Sequence, residues 1–106
     1  MDIAIIGTGF IGTTLGRALS EAGNHVTFGS RHPVDDHIGI PGARVAPIGD
    51  ALSDADPVIL AVPGAAVADI AATYGNALAG KLVIDATNRM AEPVANSRRS
   101  LPATVR

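Results

Sequence analysis

Two uninterrupted apolar runs, Ile3-Ala4-Ile5-Ile6 and Val58-Ile59-Leu60-Ala61-Val62, stand out along this chain of 106 residues. Neither alternates apolar with polar positions, so each predicts a strand buried on both faces, as in a parallel sheet covered by helices. Shorter runs at about 25–29, 43–48 and 81–88 predict three further strands. Pro47 cannot donate to a ladder, which places it at an edge or a strand end. Between the strands the period changes. Ile11, Leu15, Ala18, Leu19 and Ala22 form one apolar stripe on a helix from about Phe10 to Ala22, stopped by Gly23-Asn24. A short helix over 49–56 turns Ala51, Leu52 and Ala55 inward. A third, from Ala65 to about Ala79, carries Val67, Ile70, Ala71, Tyr74 and Leu78 at helical spacing and closes at Gly80. On that stripe Tyr74 reads as a core residue rather than a general acid. Residues 32–43, with two prolines and two glycines, read as a loop. After Asn88 no period is sustained, and residues 89–106 read as an irregular tail.

The first strand runs directly into Gly7-Thr8-Gly9-Phe10-Ile11-Gly12, and the first helix follows at once. A strand, a GxGxxG turn, a helix and a second strand in this order are the βαβ unit that binds dinucleotides. Gly7 allows the tight turn, Gly9 keeps no side chain between backbone and pyrophosphate, and Gly12 permits close packing of the helix on the sheet. The helix's free N–H groups and its dipole attract phosphate, and the Thr8 hydroxyl can add a hydrogen bond. The expected architecture is therefore α/β: a Rossmann-type doubly wound parallel sheet of five strands, order 3-2-1-4-5, in one domain over residues 1–88, with 89–106 as a basic tail.

Composition narrows the function. The chain has no cysteine, which excludes disulfides and thiolate chemistry. No apolar run approaches the ~20 residues of a membrane span, and no basic segment precedes the first strand; a cytoplasmic location without membrane association is expected. Residues 1–88 hold four basic against nine acidic side chains, a net of −5, while residues 89–106 hold four arginines against Glu92, a net of +3. An acidic body argues against nucleic acid as partner. His32 and His37, with Asp35 and Asp36 between them, lie on no rigid element, so no metal site is expected.

The end of the second strand decides which dinucleotide fits. An acid about 20 residues past the glycines would bind the ribose 2′-hydroxyl of NAD. Here stand Ser30 and Arg31, followed by His32. A hydroxyl beside a guanidinium suits a dianionic 2′-phosphate through forked, charge-assisted hydrogen bonds, so NADP is the expected cofactor. Ala61, Val62 and Pro63, at the end of the fourth strand, are expected to line the ribose and nicotinamide side. Thr87 and Asn88, at the end of the fifth, can reach the carboxamide or a substrate. Asp85 is equally readable as a loop-ordering hydrogen-bond partner or a functional acid.

Three stretches together, 5–12, Phe28-Gly29-Ser30-Arg31, and Ala61-Val62-Pro63 with Val83-Ile84-Asp85-Ala86-Thr87-Asn88, resemble the NADP-binding domain of coenzyme F420-dependent NADP oxidoreductases, a group related to 6-phosphogluconate-dehydrogenase-like and ferric-reductase-like proteins. The resemblance covers about residues 1–88. It implies hydride transfer between NADP(H) and a second small-molecule redox carrier, F420 or a flavin, stacked on the nicotinamide. It also implies that Thr8, Gly9, Phe10 and Ile11 hold the pyrophosphate, Ser30 and Arg31 the 2′-phosphate, and Ala61 to Pro63 the nicotinamide side. Two departures qualify it. Asp35 and Asp36 stand where the family usually has a further basic residue, so NADP preference rests on Ser30 and Arg31, helped by His32. The family's helical C-terminal region, which closes the carrier's site and makes the dimer, is expected to be missing or reduced to a tail here. No catalytic acid or base is named. Alternatives are a non-catalytic NADP-binding module that senses redox state or supplies cofactor to a partner protein, and a reductase for an imine, a β-hydroxy acid or a metal chelate.

Overall fold

The computed structural model describes residues 1–34, 38–53 and 55–86, together with the backbone of Thr104–Val105. The elements run β1 (Asp2–Ile6), α1 (Phe10–Glu21), β2 (His25–Ser30), β3 (Arg44–Pro47), α2 (Ile48–Ser53), β4 (Val58–Leu60), α3 (Gly64–Leu78), β5 (Val83–Asp85) and β6 (Thr104–Val105). Strands β1 to β5 are parallel in the order β3-β2-β1-β4-β5, the order expected of the doubly wound sheet. A sixth, two-residue strand extends it. β6 pairs antiparallel with β5, Val105 against Val83 and Thr104 against Ile84, inside the stretch read as an irregular tail. The rest of that tail, and Asp35, Asp36, His37, Thr87 and Asn88, lie outside the described residues. Among the described residues no helix is long and apolar enough to cross a membrane, and no group of three or more potential ligands could hold a metal.

The sheet divides the core in two because successive strand side chains point to opposite faces. On one face Ala4, Ile6, Val58, Leu60 and Val83 meet α2 (Ile48, Ala51, Leu52) and Ile70 of α3. Tyr74 packs half-buried against this cluster, the core position expected of it, although its φ of −117° and ψ of 17° put a kink in α3. On the other face Ile3, Ile5, Val26, Phe28 and Ile59 meet Leu15 and Leu19 of α1 and Ile40 from the loop before β3. Double-sided burial holds along β1 from Ile3 to Ile6, where Ala4, Ile5 and Ile6 have no exposed surface.

The buried stripe of α1 is not the one its aliphatic residues predict. Ala18 and Ala22 are exposed, and the fully covered positions are Gly12 and Gly16. The cause lies on β2. Phe28 is wholly buried with its ring directly beneath Gly16, and a Cβ on Gly16 would overlap Phe28 Cζ. The missing side chain lets a ring take the space between helix and sheet, so the helix turns its glycines, flanked by Leu15 and Leu19, toward β2.

Candidate dinucleotide-binding site

The strand order reverses at β1, whose neighbours are β2 and β4, and a crevice opens beyond the carboxyl ends of these strands. Gly7 leaves β1 with φ +118°, a conformation that L residues rarely adopt, and its N–H donates to the Gly29 carbonyl of β2 at 3.1 Å. A Cβ on Gly7 would also overlap the Ala61 carbonyl oxygen, and one on Gly12 would lie 2.6 Å from the Gly7 carbonyl oxygen. These two glycines are required by the fold itself. Gly7→Ala combines a strained backbone with a clash against backbone, and is expected to cost more than about 2 kcal/mol in a denaturant melt.

Gly9 differs from both. As N-cap of α1 it has φ −79° and ψ −166°, ordinary extended backbone, and a Cβ there would meet no atom within 4 Å. Among the described residues nothing requires a glycine at this position. The end of α1 that it opens has no side-chain cap and no acid in its first turn, so the free N–H groups and the positive dipole end face the crevice. The neighbouring hydroxyls do not occupy it. Thr13 Oγ1 donates to the Gly9 carbonyl at 2.9 Å and Thr14 Oγ1 to the Phe10 carbonyl at 2.7 Å, both back along the helix. The Phe10 side chain is 84% exposed, so what Phe10 offers an anion is its backbone N–H.

Two adjoining hollows share Val62. One, of about 270 Å³, is lined by Gly7, Thr8, Gly29, Ser30, Arg31, His32, Ile48 and Val62. The other, of about 320 Å³, is lined by Ile11, Ala61, Val62, Pro63 and Ala86. Of the cofactor-binding positions expected from the sequence, Gly7, Thr8, Ser30, Arg31, His32 and Val62 line the first hollow, and Ile11, Ala61, Val62 and Pro63 line the second; Gly9, Phe10 and Gly12 line neither and stand at the N-terminal end of α1. Ser30 is 7% exposed, and its Oγ accepts the His32 N–H at 3.0 Å. The serine thereby shapes the turn after β2, and the exposed Arg31 stands on that turn.

Among the described residues that line it, the apolar hollow carries no ionisable side chain. Asp85 does not reach it. It lines a recess on the α3 side with Leu60, Val67 and Leu78, because β5 directs Val83 and Asp85 to one face and Ile84 to the other. The sequence did not point to Ile48 or Ala86. Ile48 enters through the close approach of α2 to Gly29, where a Cβ would lie 3.3 Å from Ile48 Cα. Ala86 follows β5 with its N–H on the Leu60 carbonyl at 2.8 Å. Both depend on contacts between elements, which local pattern does not carry.

A parallel sheet with a glycine turn and an uncapped helix N-terminus at its switch point defines a Rossmann-type dinucleotide-binding domain. Residues 2–89 match the family model of NADP oxidoreductase, coenzyme F420-dependent; the chain belongs to this family. Among solved structures it is similar to a protein of Arthrobacter sp. FB24 that bears the provisional name of an F420-dependent NADP reductase, with 32% identity and a TM-score of 0.72. The likeness covers 81% of this chain and 44% of that protein, so the match spans less than half of the relative's length. Among curated proteins none matches.

Proposed function

We propose that the chain binds NADP(H) along this crevice and holds the nicotinamide for direct hydride exchange with a second redox carrier, F420 or a flavin. The observation that carries the proposal is Gly9: its backbone suits other residues and, among the described residues, no atom beyond its chain neighbours fills the space above it, so the missing side chain serves a ligand that lies on the backbone. A pyrophosphate on the N–H groups of Gly9 to Gly12 places the adenosine end toward Ser30-Arg31 and the nicotinamide in the hollow of Ile11, Ala61, Val62, Pro63 and Ala86. Arg31 supplies forked charge to the 2′-phosphate, and Ser30 holds the turn that presents it. His32 lies beside them, and Asn88 belongs to the proposed nicotinamide end.

The chemistry the cofactor supplies is hydride donation or acceptance. The residues of this chain position it, and among the described residues that line the hollow none has a side chain that exchanges a proton. That suits a reaction resting on proximity and orientation, and it favours a carrier that accepts hydride directly over a carbonyl or imine that also needs a proton. Family membership supports the hydride partner. The alternative is an NADP-binding module that acts with a partner protein or in a homodimer. Turnover separates the two: NADPH oxidation by F420 or flavin favours the enzyme, and tight NADPH binding without transfer to either carrier favours the module.

Arg31→Ala tests the specificity end. Loss of a charge-assisted contact of about 1.5–3 kcal/mol predicts roughly 10- to 100-fold weaker NADPH binding with NADH binding unchanged, read by cofactor fluorescence. An NADPH affinity within about a factor of two of the parent, a difference of about 0.4 kcal/mol, removes Arg31 from the 2′-phosphate.

A further inference from the structure

At the opposite ends of the same strands the sheet breaks its own pattern. The α2-side face is apolar along β1 and β4 (Ala4, Ile6, Val58, Leu60), yet near the amino ends of β1, β2 and β3 that face carries Asp2, His25, Thr27 and Arg44. The register sets Asp2 against His25 and Thr27 against Arg44 on adjacent strands. A longer helix would cover this ground, but α2 spans only Ile48–Ser53. It leaves a recess of about 340 Å³ whose buried floor is Ala46, Ala51 and Ala55, with Asp50 of α2 in its lining.

Two carboxylates, a guanidinium, an imidazole and a hydroxyl thus line one hollow. Among the described residues none of these five side chains makes a hydrogen bond or an ion pair. Asp2, His25, Arg44 and Asp50 stand exposed and Thr27 half-buried around a hollow at the small end of the ligand-pocket range, about 300 Å³ and upward. With carboxylates and a guanidinium lining the same hollow, the ligand that complements these walls carries both signs of charge.

We propose that this recess binds a small zwitterion: a carboxylate on the Arg44 fork with help from Thr27 and His25, and an ammonium group between Asp2 and Asp50. Arg44 fits the carboxylate because its planar fork offers paired donors, and the acids supply acceptors that a simple anion site would lack. From Asp2 to Ile6 is four strand steps, about 13 Å, so the recess is separate from the dinucleotide crevice. The inference stands independently of the cofactor reading.

The test is an amide chemical-shift titration of the full chain with 4-aminobutyrate, with butyrate and butylamine as single-charge controls. Saturable shifts confined to residues 2, 25–27, 44–46 and 50–51, with a dissociation constant of about 1 mM, are expected for 4-aminobutyrate alone. Arg44→Ala and Asp50→Asn are each expected to weaken binding by about tenfold while the remaining amide pattern and NADPH binding stay as in the parent. The proposal is overturned by no saturation up to about 50 mM, by equal binding of butyrate or butylamine, or by Arg44→Ala and Asp50→Asn variants that bind like the parent.

Discussion

Gly9→Val is expected to leave folding intact and to weaken NADPH binding by at least about a hundredfold. The extended backbone of Gly9 accepts a β-branched residue, and among the described residues no atom beyond its chain neighbours lies within 4 Å of a Cβ there, so the fold is expected to survive with a loss of about 1 kcal/mol for valine at the N-cap. The valine side chain would occupy the space where the pyrophosphate meets the N–H groups of the first α1 turn. Losing about two charge-assisted hydrogen bonds, each about 1.5–3 kcal/mol, accounts for the factor. Gly7→Ala makes the informative contrast, because it damages the fold before it reaches the ligand. Should Gly9→Val bind NADPH like the parent, the pyrophosphate lies elsewhere.

The second large effect is structural. Phe28→Ala is expected to destabilise the domain by about 3–5 kcal/mol, the range for deleting a fully buried aromatic ring, against a total stability of about 5–15 kcal/mol for domains of ordinary size. Its coupling to Gly16 is more specific than its size. In the parent, Gly16→Ala drives a methyl into the Phe28 ring, and overpacking of about 1–3 kcal/mol outweighs the gain of about 1 kcal/mol that alanine brings to a helix interior. In the Phe28→Ala background the clash is gone, and the same substitution should become stabilising by up to about 1 kcal/mol. Chemical denaturation of the four proteins of this cycle measures the reversal. Additive effects would mean that ring and helix do not share that space.

The Gly16–Phe28 contact also shows where reading the sequence falls short. β1, the glycine turn and the sheet order were legible because each rests on a local signal: an unbroken apolar run, a spacing of glycines, and alternation of strand and helix patterns. The face of α1 was not, because glycine registers as neutral in an apolar stripe while here it is the most buried position. β4 and β5 were read longer than their ladders, Val58–Leu60 and Val83–Asp85, since Ala61–Pro63 and Ala86 remain apolar after the pairing ends; those residues line the crevice instead. The Tyr74 kink and the β6 pairing depend on distant partners and leave no mark in a local pattern. Ser30 was read as a direct phosphate contact, and its hydrogen bond to the His32 N–H adds a role in building the turn.

The central claim is that the crevice selects NADP by its 2′-phosphate, and parallel titration of the purified chain with NADPH and NADH tests it most directly. The Arg31 guanidinium just past β2, where an NAD site carries an acid, predicts at least about tenfold tighter binding of NADPH, or about 1.4 kcal/mol. Equal affinity for the two, or binding of neither, would contradict it.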